Sequence, residues 1–431
     1  MSSTIGIRRE DKNQWERRVP IVPEHVEDLL EKHDINTIIQ PSNIRAFPND
    51  DYIRSGALLN EDLSSSNVVF AVKEIPIDLF QPGKTYVFFA HVIKGQRYNM
   101  PMLRKMMELG CNLIDYEKIV DDAGRRLVFF GHYAGLAGMF DALWAFGQRL
   151  KSKRISNPFS EIKQAITYRD LDAIKDHLKM IGERIKSQGL PHNICPVVVG
   201  FAGYGNVSKG AQEILNFLPV EEIKPDRLKT IKDDYSNKKI YKVVFKEEDM
   251  VEPISSNSEF DLQEYYSKPE LYTPKFEQHI PNLSILMNCI YWEERFPRLI
   301  TKEYVEKNFD KMRLEVIGDI SVDVNGAIEI TEKTTNSGNP VFVYNPFNKE
   351  VIDGFEGEGI VVMAVDNLPC ELPRESSKAF GNILFGFIPP LAKADYSVEF
   401  DILDLPPELK RAVILYHGKL TPDFKYISKF L

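Results

Sequence analysis

The sequence predicts an α/β protein of two doubly wound domains around a central cleft, the first domain discontinuous. Three observations carry that prediction. Strand-like and helical patterns alternate along most of the chain, a glycine-rich turn joins an apolar strand to a helix near its middle, and 431 residues suffice for two cores. The content, 43% hydrophobic and 27% charged, is that of an ordinary globular chain. A formal net charge of −9 argues against a broad basic face, and so against nucleic acid or an anionic membrane surface as partner. No run approaches the ~18 consecutive apolar residues of a membrane span. Cys111, Cys195, Cys289 and Cys370 stand far apart with no C-x-x-C pair, which fits reduced thiols and neither a disulfide frame nor a metal site.

In chain order, residues 5–8, 35–40, 67–73, 86–91, 112–115 and 127–130 read as strands. Between them, 23–30, with Pro23 at its start, and 100–109 read as helices. The small-residue run from Gly131 through Leu150 predicts a hinge helix, and 171–185 a second helix ahead of the central strand at 195. The charged stretch at about 229–278 reads as an insertion at one edge of a sheet. Parallel strands are expected again at 283–289, 313–318, 341–344 and 359–365, then helices at 376–387 and 407–416. These elements divide into a substrate and catalytic domain, 1–140 plus 375–431, and a dinucleotide-binding domain, 141–374.

The segment from Cys195 to Gly210 has the form of a Rossmann-like phosphate cradle. Gly203 permits the tight turn, Gly205 lets a pyrophosphate approach the backbone, and Asn206, Val207 and Ser208 open the helix whose N–H groups would meet it. Ser208 departs from the fingerprint, which has Gly or Ala there. About 20 residues on, where a ribose-reading group belongs, Lys224 and Arg227 favour the 2′-phosphate of NADPH over NADH. Asp319, Asp366 and Asn367 end later strands where they could face the cofactor, while Asp323 reads as a cap.

Charges at the ends of apolar strands are informative, because burying them is costly unless they are paired or used. Lys73 and Glu74 end one such run and His91 the next, so an amine and an imidazole would stand side by side as an acid/base couple. The plainer alternative is that His91 caps its strand and Lys73 snorkels to solvent. Arg18, beside Glu16, and Arg126, near Glu117, offer bidentate grips for carboxylates, or surface ion pairs. No histidine has a partner at metal-ligand spacing.

Trp15–Pro20, Ala71–Glu74, Phe89–Lys94, Leu113–Glu117, Gly203–Gly210, Asn288–Trp292, Asp319–Ser321 and Asp366–Pro369 together resemble the lysine-ketoglutarate reductases, the lysine-forming saccharopine dehydrogenases. The resemblance runs from about Ile5 to about Lys425 and is strongest to the reductase half of the bifunctional aminoadipic semialdehyde synthases of animals and plants. It implies a cleft enzyme with an alanine-dehydrogenase-like first domain, joining L-lysine to 2-oxoglutarate and reducing the imine to saccharopine. On matching positions it makes Lys73 and His91 the acid/base pair and Glu16 their tuner. Arg18 and Arg126 would hold the dicarboxylate, and Glu74 and Glu117 would face the lysine amine. It implies NADPH for animal and plant members, NAD for fungal ones. No saccharopine-cleaving half follows, so the chain is expected to be a free-standing reductase or a truncated bifunctional one, with a separate saccharopine-cleaving enzyme as a candidate partner. Animal relatives are mitochondrial, but no Arg-rich leader precedes Ile5, which favours the cytoplasm. An alanine-dehydrogenase-type enzyme and a catalytically silent nucleotide-binding protein remain as alternatives.

Overall fold

The structure, a computed structural model, describes residues 3–431. The chain divides into two compact units, one running to Phe130 and resuming over Pro373–Leu431, the other Gly131–Leu372. No helix among the described residues is long and apolar enough to cross a membrane.

In the first unit, β1 (Ser3–Ile7), β2 (Ile35–Ile39), β3 (Leu58–Leu59), β4 (Val68–Phe70), β5 (Thr85–Phe88) and β6 (Asn112–Asp115) are all parallel. Their spatial order is β6-β5-β4-β1-β2-β3. The chain leaves β1 toward β2 and returns as β4 on its other side, so a topological switch point lies between β1 and β4, where α/β sheets hold ligands. Alternate residues point to opposite faces. Val68, Phe70 and Val72 pack with α1 (Pro23–His33) and the later helix Pro373–Leu384, while Val69 and Ala71 pack with α2 (Met100–Glu108).

Two expected elements differ here. Residues 127–130 form no strand: Val128 is fully buried and Phe130 stacks on Phe380 at 4.4 Å, so this short apolar run plugs the core without joining a ladder. The helix expected at 407–416 stops at Lys410. Val413–Tyr416, led by β-branched Val413 and Ile414, is a strand antiparallel to β6.

The second unit opens with α3 (Gly131–Ser152) and α4 (Leu171–Gln188), the latter capped by the Asp170 carboxylate on Ala173 N–H at 2.9 Å. Then follow β7 (Val198–Ala202), α5 (Asn206–Leu215), β8 (Val220–Glu222) and β9 (Ile240–Phe245). A small hairpin, β10 (Val251–Pro253) with β11 (Tyr272–Pro274), precedes β12 (Ile285–Asn288), β13 (Val316–Asp319), β14 (Val341–Tyr344), β15 (Val351–Asp353) and β16 (Ile360–Met363). The sheet order is β15-β14-β16-β13-β12-β7-β9-β8, which places β7 at the switch point. β14 runs antiparallel to β16 and forms an edge hairpin with β15, so the parallel strand expected at 341–344 is reversed. The expected insertion at 229–278 is not peripheral as a whole: Ile240–Phe245 within it pairs with β7 along its full length and is covered by Leu228, Ile231 and Phe276.

Candidate active site and dinucleotide site

Lys73 lies three residues beyond β4, and His91 three beyond β5, both at the C-terminal edge of the first unit's sheet. Lys73 is half-buried, and its ammonium makes no hydrogen bond or ion pair among the described residues. Burial above all, then the charges of Arg18 and Lys12, pull its pKa below the usual lysine value, while Glu74 and Glu16 oppose them. His91 adopts φ 48°, a left-handed conformation uncommon outside glycine that clusters at functional sites. Its Nδ1 is 2.7 Å from Glu74 Oε1, and Lys12 Nζ is 3.0 Å from Glu74 Oε2. Burial works to raise Glu74, but the hydrogen bond and charge of His91, with Lys12, hold it far below the usual carboxylate range. Glu74 is therefore a fixed anion that orients the imidazole.

Glu16 and Arg18 also reach this edge, where Glu16 raises the Lys73 pKa and Arg18 lowers it. The Arg18 guanidinium forks onto Glu16, Nε to Oε1 at 2.8 Å and Nη2 to Oε2 at 2.6 Å, and lies 4.4 Å from the centre of the Phe130 ring. Their side chains are 2% and 0% exposed, so Arg18, expected as a grip on a dicarboxylate, is here a buried partner of Glu16. Arg126 is different: it is 45% exposed and its Nη2 meets Glu117 Oε1 at 2.8 Å, a pair that an incoming zwitterion could open. Pattern reading missed Glu10, Lys12 and Asn99. Glu10 and Lys12 lie in a charge run that reads as solvated surface, and Asn99 at an ordinary helix start.

In the second unit, Gly203 follows β7 with φ 94°, and a Cβ there would meet Ile290 Cγ2 at 2.9 Å. Gly205 precedes α5, and a Cβ on it would have no protein atom within 4 Å. The turn, Gly203 to Gly205, just ahead of α5, borders a cavity of about 470 Å³ lined by Tyr204, Glu247, Tyr265, Ile290 and Trp292 among others. Open space beside a helix N-terminus, flanked by aromatic side chains, suits a dinucleotide. Close helix packing supports the turn: a Cβ on Gly135 of α3 would lie 1.9 Å from Val207 O, and one on Gly210 of α5 would lie 2.1 Å from His132 O.

The other expected cofactor residues have varied surroundings. Ser208 is fully buried and accepts from Gln212 Nε2 at 3.0 Å, at the packing position of the fingerprint's third small residue. Lys224 and Arg227 follow β8, the edge strand, with β9 between them and β7. Arg227 is paired with Asp234 at 2.7 Å. The strand beside the turn is β9: Gly203 N–H donates to Phe245 O at 3.0 Å, and Lys246 and Glu247 follow that strand. β8 comes first along the chain but lies outside β9 in space. Asp319 is buried and accepts from Asn288 Nδ2 at 2.9 Å, Thr331 Oγ1 at 2.6 Å and Val322 N–H at 3.2 Å, so it holds the protein's own loops. Asp366 is exposed and Asn367 half-buried just beyond β16, while Asn206 and Val207 open α5.

Two doubly wound sheets, one with a glycine turn at its switch point, define the chain as a dehydrogenase-like protein of the NAD(P)-linked class. It belongs to the alanine dehydrogenase/PNT family, whose N-terminal domain model matches residues 6–137 and C-terminal domain model residues 219–423. It is 38% identical to alpha-aminoadipic semialdehyde synthase of Arabidopsis thaliana over 99% of this chain and 41% of that one. To saccharopine dehydrogenase (NAD(+), L-lysine-forming) of Emericella nidulans it is 26% identical over 89% of this chain and 90% of that one. An L-alanine dehydrogenase structure superposes with a TM-score of 0.63 at 19% identity, covering 99% and 100% of the two chains, which shows the shared fold. The resemblance read from the sequence is thus borne out, and the chain spans less than half the length of the synthase it matches.

Proposed function

We propose that the chain condenses L-lysine with 2-oxoglutarate and reduces the imine to saccharopine, with NADH as reductant. The observation that carries this reading is the half-buried, unpaired Lys73 at a sheet switch point beside the Glu74–His91 couple. A substrate amine must lose a proton before it attacks a keto group, and the carbinolamine must gain one to lose water. An amine whose pKa burial has lowered can take the first proton, and an imidazole oriented by a carboxylate can deliver the second. The exposed Arg126 offers a fork for a dicarboxylate and Glu117 an anion for an ammonium group, so substrate charges would replace the pair's mutual contact. The dinucleotide, when bound, supplies the hydride.

The choice of NADH reverses the expectation drawn from Lys224 and Arg227. Beyond β9, Lys246 is followed by Glu247, Glu248 and Asp249, and Glu247 accepts from Tyr266 Oη at 2.6 Å beside the glycine turn. Of these, Glu247 lines the cavity, with the Arg295 guanidinium also in its wall but paired with Glu293, so a 2′-hydroxyl finds an acceptor where a 2′-phosphate would meet a carboxylate. Oxidation of reduced nicotinamide is expected only with lysine and 2-oxoglutarate together, about tenfold or more faster with NADH than with NADPH below saturation, and Glu247→Arg should narrow that ratio. Oxidation with pyruvate and ammonia, or with neither substrate pair despite bound cofactor, overturns the reaction assigned. Equal rates with the two cofactors overturn the assignment of Glu247.

Arg126→Ala should raise the KM for 2-oxoglutarate about tenfold or more while changing kcat less. An unchanged KM would place the dicarboxylate elsewhere.

A further inference from the structure

Two buried carboxyl groups continue the first unit's sheet where its strands stop. Arg8 N–H donates to Phe70 O at 2.9 Å, and there the backbone of β1 leaves β4. The next N–H groups, of Val72 and Lys73, lie beyond it. Glu10 reaches back to both: Oε1 accepts from Val72 N–H at 2.6 Å and Oε2 from Lys73 N–H at 3.0 Å. Beyond β5 the same device recurs. Asp115 Oδ2 accepts from Ala90 N–H at 3.2 Å, and its Oδ1 accepts from Glu117 N–H at 2.9 Å. Asn99 Nδ2 completes this second clamp, donating to the carbonyls of Ala90 at 3.0 Å and His91 at 3.2 Å. Glu10 thus uses both oxygens on N–H groups at the strand end that carries Lys73, whereas Asp115 spends one oxygen at the strand end ahead of His91 and the other on the turn after its own strand.

Each carboxyl satisfies backbone N–H groups, yet keeping an ionisable group in so buried a place costs stability at neutral pH. Glu10 is 7% exposed and Asp115 is fully buried. Burial first, then the charge of Glu16, pushes Glu10 up to about 7 against the hydrogen bonds from Val72 and Lys73 N–H and the charge of Arg8. Burial and the charge of Glu117 push Asp115 up to about 7 against the hydrogen bond from Glu117 N–H, the charge of His91 and the hydrogen bond from Ala90 N–H. A carboxyl raised in the folded state removes stability as pH climbs from its unfolded-state value toward the folded one.

We propose that Glu10 and Asp115 are positioning residues, whose carboxylates lock the backbone under Lys73 and ahead of His91 so that both side chains meet substrate in one orientation. This rests on the acid/base reading of Lys73 and His91. A misplacement on the order of 1 Å can cost about 10²-fold in rate, which is the effect such clamps prevent. An amide of the same shape keeps one acceptor oxygen but turns an NH₂ toward the second N–H.

The test compares the full chain with Glu10→Gln, Asp115→Asn and, as reference, Lys73→Met. The readouts are kcat and KM for each substrate, NADH affinity by fluorescence titration, and near-UV circular dichroism. Expected for both amide variants is a kcat lower by about tenfold to 10²-fold, with each KM within about twofold, NADH affinity unchanged and a native spectrum. Wild-type kcat in both amide variants alongside an inactive Lys73→Met overturns the positioning role alone. Loss of the native spectrum in both also overturns it, since the carboxylates are then structural. Wild-type turnover by Lys73→Met overturns the acid/base reading, and the positioning role with it.

Discussion

Lys73→Met is expected to lower kcat for lysine and 2-oxoglutarate by about 10²-fold or more, with NADH affinity unchanged. Methionine keeps much of the length and apolar body of the side chain, and removes an ammonium that has no ion-pair partner and that burial disfavours. The folded unit therefore loses little, and the change isolates chemistry from stability. A drop in rate matched by an equal fall in NADH binding would point to general damage, and wild-type rates would remove Lys73 from proton transfer. His91 is the natural second position to probe, because the Glu74 carboxylate that holds its Nδ1 is itself held by Lys12 and lies within 3.4 Å of Asn99 Nδ2.

Glu16→Ala is expected to destabilise the first unit by about 3–5 kcal/mol, because it leaves the Arg18 guanidinium buried without its bidentate acceptor. Adding Arg18→Met should recover part of that loss by removing the unpaired buried charge, while the volume that Glu16→Ala empties still costs stability. Denaturant unfolding of the two single variants and the double variant measures the coupling. A loss below about 1 kcal/mol in Glu16→Ala would mean the pair behaves as an exposed one. Activity has a separate reason to suffer: Glu16 raises the Lys73 pKa and Arg18 lowers it, so losing only the glutamate pushes the lysine further down.

Much of this was legible in the chain itself, element by element. The parallel strands of both sheets followed from apolar runs spaced by amphipathic helices, and the cradle from glycines placed between a strand and a helix. Lys73 and His91 could be singled out because a charge or an imidazole that ends an apolar strand has few places to go. Residues 407–416 and 127–130 were misread because a short apolar stretch has no period long enough to separate strand, helix and core plug.

Residue periodicity and local turn chemistry therefore determined the kind of sheet, the phosphate cradle and the identity of the acid/base candidates, since each depends on neighbours within a few positions along the chain. Only the tertiary structure decided that Arg18 is a buried partner of Glu16, that Glu10 and Asp115 clamp two strand ends, and that Glu247 stands beside the cradle in place of Lys224 and Arg227. Burial, pairing and the spatial order of strands are set by contacts between distant segments. The same charged side chain can serve as surface, clamp or ligand reader according to what packs against it.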